Sequence, residues 1–159
     1  MHTVVFPGSF DPVTNGHLDL ITRASLIAER VIVAVAINTS KQPLFNLQER
    51  CDLLEAATSH LKGVEVIPFS GLLVDFAIAH QAQALLRGIR GATDADYEIQ
   101  LAQVNHTLNT GLETILLPAR AQTGFISSTV VKEVFKHQGD ISQLAPQCVK
   151  EALIKKTPS

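Results

Sequence analysis

Val31-Ile32-Val33-Ala34-Val35-Ala36-Ile37 is an uninterrupted apolar stretch of strand length. A strand with one wet face alternates apolar and polar residues; a continuous run suits a strand covered on both faces, as in a parallel sheet. Shorter runs flank it: Val4-Val5-Phe6 before, then Val64-Glu65-Val66-Ile67, Ala84-Leu85-Leu86 and Thr114-Ile115-Leu116-Leu117 after. The segments between them have helical periodicity. Leu47, Cys51, Leu54, Thr58 and Leu61 recur at helical spacing behind Asn46 and Glu49, which make a capping-box-like start. Thr93 and Asp96 offer a similar start for a helix running to about Asn109. Pro146 stands where a last helix begins, with Val149, Ala152 and Leu153 on one face. Strands alternating with helices predict βαβ units. The expected fold is therefore α/β, a doubly wound five-stranded parallel sheet in one domain spanning residues 1–159.

In such sheets ligands bind beyond the carboxyl ends of the strands, so the residues that follow each strand matter most. After the first run comes Pro7-Gly8-Ser9-Phe10-Asp11-Pro12-Val13-Thr14-Asn15-Gly16-His17, then a helical pattern. Two glycines permit close backbone approach to a ligand. A helix beginning near Asn15 aims free N–H groups and its positive end at an anion, with His17 in the first turn. Neither G-x-x-x-x-G-K-[ST] nor G-x-G-x-x-G is present. The residues alone leave two readings open: an anion site, or a Gly/Pro-rich turn with an incidental histidine.

Composition narrows the field. The chain has 159 residues, 46% hydrophobic and 18% charged, with a formal net charge of −2. That is a globular composition without the positive field of a sequence-independent nucleic-acid binder. No apolar run reaches the roughly 18 residues of a membrane span, and Met1–Pro7 lacks the basic flank and apolar stretch of a signal peptide. Cys51 and Cys148 have no metal-ligand spacing and are expected as buried thiols, with the cytoplasm as default compartment.

Thr14-Asn15-Gly16-His17, preceded by G-S-F-D-P, resembles the T/H-x-G-H signature of the nucleotidyltransferase superfamily. Ile126-Ser127-Ser128-Thr129-Val130-Val131-Lys132 resembles its I-S-S-T-x-x-[RK] element. Hydroxyls and N–H groups at a helix start suit a triphosphate tail, although ordinary N-capping uses the same residues. Arg87-Gly88-Ile89-Arg90, which follows the fourth run, and Asp94 to Asn105 resemble a segment of the bacterial phosphopantetheine adenylyltransferases. The likeness runs from about residue 3 to residue 155. It departs at Ser9, where threonine is usual, at Ala95, where phenylalanine is usual, and at Thr123, where an aromatic is common.

The resemblance implies a Rossmann-like nucleotidyltransferase fold and transfer of AMP from ATP to 4′-phosphopantetheine, with Mg²⁺ accompanying ATP and no dedicated protein cage for it. It makes His17 the stabiliser of the transition state, with Lys41 and Arg90 beside it. Ser9 and Lys41 hold the nucleophilic phosphate, and Arg87 contacts phosphopantetheine. Leu73 lines the pantetheine arm or packs in the core. It assigns the nucleotide to Ser9, Phe10, His17, Gly88, Ile89, Arg90, Glu98, Thr123, Gly124, Phe125, Ile126, Ser127, Ser128 and Thr129. As alternatives, Lys41 is a solvated loop residue and Glu98 a solvated partner of a nearby base. The resemblance also implies a homohexamer. Competing readings are a relative with another acceptor and a nucleotide-binding module without turnover.

Overall fold

The computed structural model describes residues 2–39 and 42–157. Strands β1 (Thr3–Gly8), β2 (Arg30–Ala36), β3 (Val64–Phe69), β4 (Ala84–Ile89) and β5 (Glu113–Pro118) form one sheet in the order β3-β2-β1-β4-β5. Every pairing is parallel. Helices α1 (Asn15–Ile27), α2 (Leu47–Thr58), α3 (Leu73–Ala79) and α4 (Ala92–Leu108) join consecutive strands; α5 (Ser128–Lys136) and α6 (Gln147–Lys156) follow β5.

The apolar runs are explained by burial on two sides. Val4, Phe6, Val31, Val33, Val35, Ala84 and Leu86 face one core, which α1, α2, α5 and α6 cover. The residues between them, Val5, Ile32, Ala34 and Leu85, face a second core, which includes Val74 and Ala77 of α3. Alternation persists in the pleat, but both sets of side chains need apolar surroundings.

Helix starts divide into expected and unexpected. Asn46 and Glu49 form the capping box of α2, and Pro146 is the residue before α6. Thr93 and Asp96 do not start α4: Gly91 stands at its N-cap with no side-chain bond, and Thr93 lies inside the helix. Asp94 turns its carboxylate back to the Arg90 N–H instead, at 3.1 Å. Ile37 lies beyond β2 and Leu61 beyond α2. Cys51 is buried and Cys148 half-buried, and both are free thiols.

The order of the sheet reverses at β1: the chain adds β2 and β3 on one side, then crosses to lay β4 on the other. β1 pairs with β2 over six positions but with β4 only at Val4↔Ala84 and Val5↔Leu85. Beyond Val5 and Leu85 the two strands separate, so their carboxyl ends open a crevice at the switch point, where this class of sheet binds ligands.

Candidate active site

The crevice is a cleft of about 330 Å³ whose walls include Gly8–Phe10, Gly16, His17, Arg87, Arg90 and Ser127–Ser128. Strand ends and two helix starts thus converge on one volume. Arg87, Gly88 and Ile89 belong to β4 itself rather than following it, because β4 keeps pairing with β5 as far as Ile89↔Pro118.

His17 is held by an unusual capping box. Thr14 Oγ1 accepts the His17 N–H at 3.3 Å, and the Thr14 N–H donates to His17 Nδ1 at 3.0 Å. Glutamate or glutamine usually fills this third helical position; here the imidazole does. An accepting Nδ1 assigns the proton to Nε2, a tautomer deduced from the hydrogen-bond network. The buried Phe10 ring meets the imidazole edge-on, with centroids 4.8 Å apart. Desolvation, and secondarily the charge of Arg90, lowers the His17 pKa from 6.5 to about 4. At neutral pH this histidine is therefore an uncharged Nε2–H donor.

Gly16 allows the two motif segments to touch. A Cβ at this position would lie 3.0 Å from the Ile126 carbonyl oxygen, closer than an ordinary contact. Gly16→Val is expected to push the start of α5 away and lower kcat/KM by roughly 10²-fold, the scale of a 1 Å misplacement. Steady-state kinetics on the folded variant checks this; unchanged kcat/KM would mean the contact is dispensable.

At α5, Ser127 caps the helix by accepting the Val130 N–H at 3.1 Å, which leaves its own hydroxyl proton free. The Ser128 and Thr129 N–H groups have no acceptor among the described residues. They form the positive end of a helix that opens on the cleft. Ser128 spends its hydroxyl proton on the Pro12 carbonyl at 2.7 Å, tying α5 to the loop after β1. Thr129 lines an adjoining recess with Ser9, Asp11 and Lys132. Thr123 and Ile126 are on the cleft wall, and Gly124 lies between them in the sequence.

Arg87 and Glu98 make a two-pronged ion pair, Nε to Oε2 and Nη2 to Oε1, each 2.8 Å. Both Glu98 oxygens accept from Arg87. Glu98 is thus paired with a base, as one reading expected, but it is buried rather than solvated and lines the cleft. Arg90 is half-exposed and reaches Asp94 at 3.3 Å.

Leu73 and Phe125, like Ile89 and Gly124, are not among the residues that line the cleft. Leu73 packs with the second core and is absent from the cleft wall, because it sits on α3 across the sheet. Phe125 is 61% exposed and does not line the cleft. Lys41 falls outside the described residues.

Two residues outside the expected catalytic set bind the loops around the site, Asp11 as expected of a residue that orders the first loop. Asp11 accepts the Leu44 and Phe45 N–H groups at 2.9 and 2.8 Å, and Lys132 approaches it at 3.5 Å. Arg50, 1% exposed, donates to three carbonyls around the same loops. A signal for it existed: Arg50 shares a helix face with Leu47, Leu54 and Ala57, a charge at a core position.

A cytidylyltransferase-like family matches residues 5–134. The chain is 76% identical over 156 residues to the phosphopantetheine adenylyltransferase of Psychromonas ingrahamii, covering 98% of this chain and 97% of that one. It is 54% identical over 155 residues to the phosphopantetheine adenylyltransferase of Actinobacillus pleuropneumoniae serotype 3, covering 98% of each. A Vibrio parahaemolyticus crystal structure, described as a nicotinate-nucleotide adenylyltransferase, superposes with TM-score 0.73 at 18% identity, covering 97% of this chain and 99% of that one. The last likeness is one of fold. The resemblance carried by the motifs thus extends to whole-length identity, and the chain belongs to the phosphopantetheine adenylyltransferase family of cytidylyltransferase-like nucleotidyltransferases.

Proposed function

We infer that this chain transfers the adenylyl group of ATP to 4′-phosphopantetheine, giving dephospho-coenzyme A and pyrophosphate. The observation that carries the reading is near full-length identity to relatives of that name, and the cleft supplies a chemistry that fits. A phosphate oxygen of the acceptor bonds to the α-phosphorus of ATP while the bond to the pyrophosphate oxygen breaks. The acceptor phosphate is already ionised at neutral pH, so the protein's work is positioning and charge stabilisation. In this reading His17 Nε2–H donates to an α-phosphate oxygen as negative charge grows there. Arg90, the Ser127 hydroxyl and the open amides of α5 take the departing pyrophosphate. Ser9 and Lys41 hold the acceptor phosphate, and the face of Arg87 not engaged by Glu98 serves the acceptor.

Mg²⁺ enters with ATP in this reading and offsets phosphate charge. The cleft's side chains fit that arrangement: Glu98 is engaged by Arg87 and Asp94 by Arg90, leaving donors rather than metal ligands. A metal held by phosphate oxygens and water suits such a site. Free cysteines support a cytoplasmic location, and no helix among the described residues is long and apolar enough to cross a membrane.

Assembly of copies, a hexamer by resemblance, is proposed through α4. Only Glu98 of its residues is buried, while Tyr97, Val104 and Leu108 lie on one face and are 60%, 54% and 53% exposed. Val104→Glu with Leu108→Glu is expected to yield smaller particles by light scattering; an unchanged mass would assign the interface elsewhere.

Pyrophosphate release tests the activity, with ATP, Mg²⁺ and 4′-phosphopantetheine, against nicotinamide mononucleotide and glycerol phosphate as other acceptors. Release with phosphopantetheine alone is expected. Release with another acceptor would keep the adenylyl donor site and overturn the acceptor.

A further inference from the structure

Arg50 is the largest fully buried side chain, and among the described residues no carboxylate pairs with it. A buried guanidinium is costly unless hydrogen-bonded, so its partners indicate what it is there to hold. Those partners are main-chain carbonyls from three segments. Nη1 donates to Ser9 at 2.8 Å, after β1, and to Ala36 at 2.9 Å, at the end of β2; Nε donates to Phe45 at 3.2 Å, before α2. Asp11 makes the complementary tie, accepting N–H groups from Leu44 and Phe45. The loops after β1 and β2 are thus joined by one cation and by one carboxylate.

The bond to Ser9 has a consequence for the cleft. A trans peptide is planar, with its C=O and N–H pointing opposite ways. Drawing the Ser9 carbonyl down to Arg50 turns the Phe10 N–H away from Arg50. Phe10 holds φ at +50°, a conformation rare for a residue with a bulky side chain. Its ring is 1% exposed and lies 3.0 Å from where a Cβ on Gly8 would be, so the peptide has little room to rotate. The Phe10 N–H has no acceptor among the described residues. Buried amides without partners are rare, and this one belongs to a residue on the cleft wall.

We propose that Arg50 is a positioning residue that sets the loop after β1, through the Ser9 carbonyl, so that the Phe10 N–H donates to a phosphate oxygen in the cleft. It touches neither substrate. Through Ala36 and Phe45 it also ties the end of β2 to the start of α2. The proposal rests on the adenylyl-transfer reading for which ligand is held.

Arg50→Lys keeps the charge but loses the planar fork that spans three carbonyls. Its kcat is expected to fall by roughly 10²-fold, the scale of a small misplacement, while thermal unfolding shows a folded protein at the assay temperature. The ATP-dependent change in amide exchange at Phe10 relative to amides outside the cleft, followed by NMR, supplies a readout that a general loss of stability does not mimic. ATP is expected to slow exchange there in the wild type and to lose that effect in Arg50→Lys. A folded Arg50→Lys that retains turnover within twofold and protection at Phe10 would overturn the proposal. Arg50→Gln, which keeps one donor without the charge, serves if the lysine variant does not fold. Absence of ATP protection at Phe10 in the wild type overturns it without any variant. Wild-type protein that protects Phe10 with ATP yet releases no pyrophosphate with any acceptor overturns the activity and leaves the loop-setting role standing.

Discussion

His17→Ala is expected to lower kcat by roughly 10²-fold or more, the effect of removing one preorganised donor from a developing oxyanion, with a smaller change in KM for ATP. The imidazole is neutral, its Nδ1 is occupied by the Thr14 N–H, and its Nε2–H is the remaining donor. That donor gains strength as charge moves onto the α-phosphate, so its loss falls on the transition state more than on bound ATP. The helix start loses the reciprocal bond to Thr14, an effect of about 1 kcal/mol on stability, which a melting curve separates from the kinetic loss. Single-turnover rates near the wild-type value would remove His17 from the mechanism.

The same residue links stability to pH. Its folded-state pKa, about 4, lies below the ordinary 6.5, so between these values the unfolded chain binds the proton and the folded chain does not. Stability is complete above 6.5 and declines as pH falls toward 4, by at most about 1.4 kcal/mol per pH unit in that window. Partial exposure of the ring reduces this figure. Denaturant titrations at pH 7 and pH 4.5 should show a smaller acid loss for His17→Asn than for the wild type. Equal losses would mean that His17 is not desolvated as its packing indicates.

Arg87→Ala has the second large effect, and it acts on two properties. It leaves the Glu98 carboxylate, whose side chain is 8% exposed, without its partner. A fully buried pair broken in this way costs roughly 3–5 kcal/mol. Arg87 is itself 31% exposed, which brings the expectation to about 1–3 kcal/mol. The KM for phosphopantetheine should also rise more than tenfold, as a charge-assisted contact worth about 1.5–3 kcal/mol is lost. Combining Arg87→Ala with Glu98→Ala distinguishes the two effects. The double variant should regain part of the stability and none of the acceptor affinity. If affinity returned with stability, Arg87 would be a packing element alone.

Periodicity exposed much of this architecture because it is a local property. Five apolar runs mark five strands, and continuous apolarity in Val31–Ala36 identifies a strand between two cores. Thr14, Asn46 and Pro146 mark helix starts through their own side chains or ring. The start of α4 could not be seen this way, because Gly91 offers no side chain and Asp94 bonds to Arg90. Leu73 and Phe125 carried motif positions whose direction depends on which side of the sheet, or of a loop, the chain passes. The role of Arg50 could not be read from spacing, since its three carbonyl partners lie 5, 14 and 41 residues away.

The chain alone thus determines the α/β class, the strand count and the two motifs, since each depends on spacing within a few residues. It also identifies His17 as the histidine of the first helical turn. Contacts across the sequence determine the rest. Ser128 meets Pro12 across a sequence separation of 116 positions, and β4 leaves β1 after two pairs. The imidazole's tautomer and lowered pKa depend on Thr14, Phe10 and Arg90 surrounding it. These follow from desolvation and hydrogen-bond direction, which exist only once the strands have placed their ends side by side.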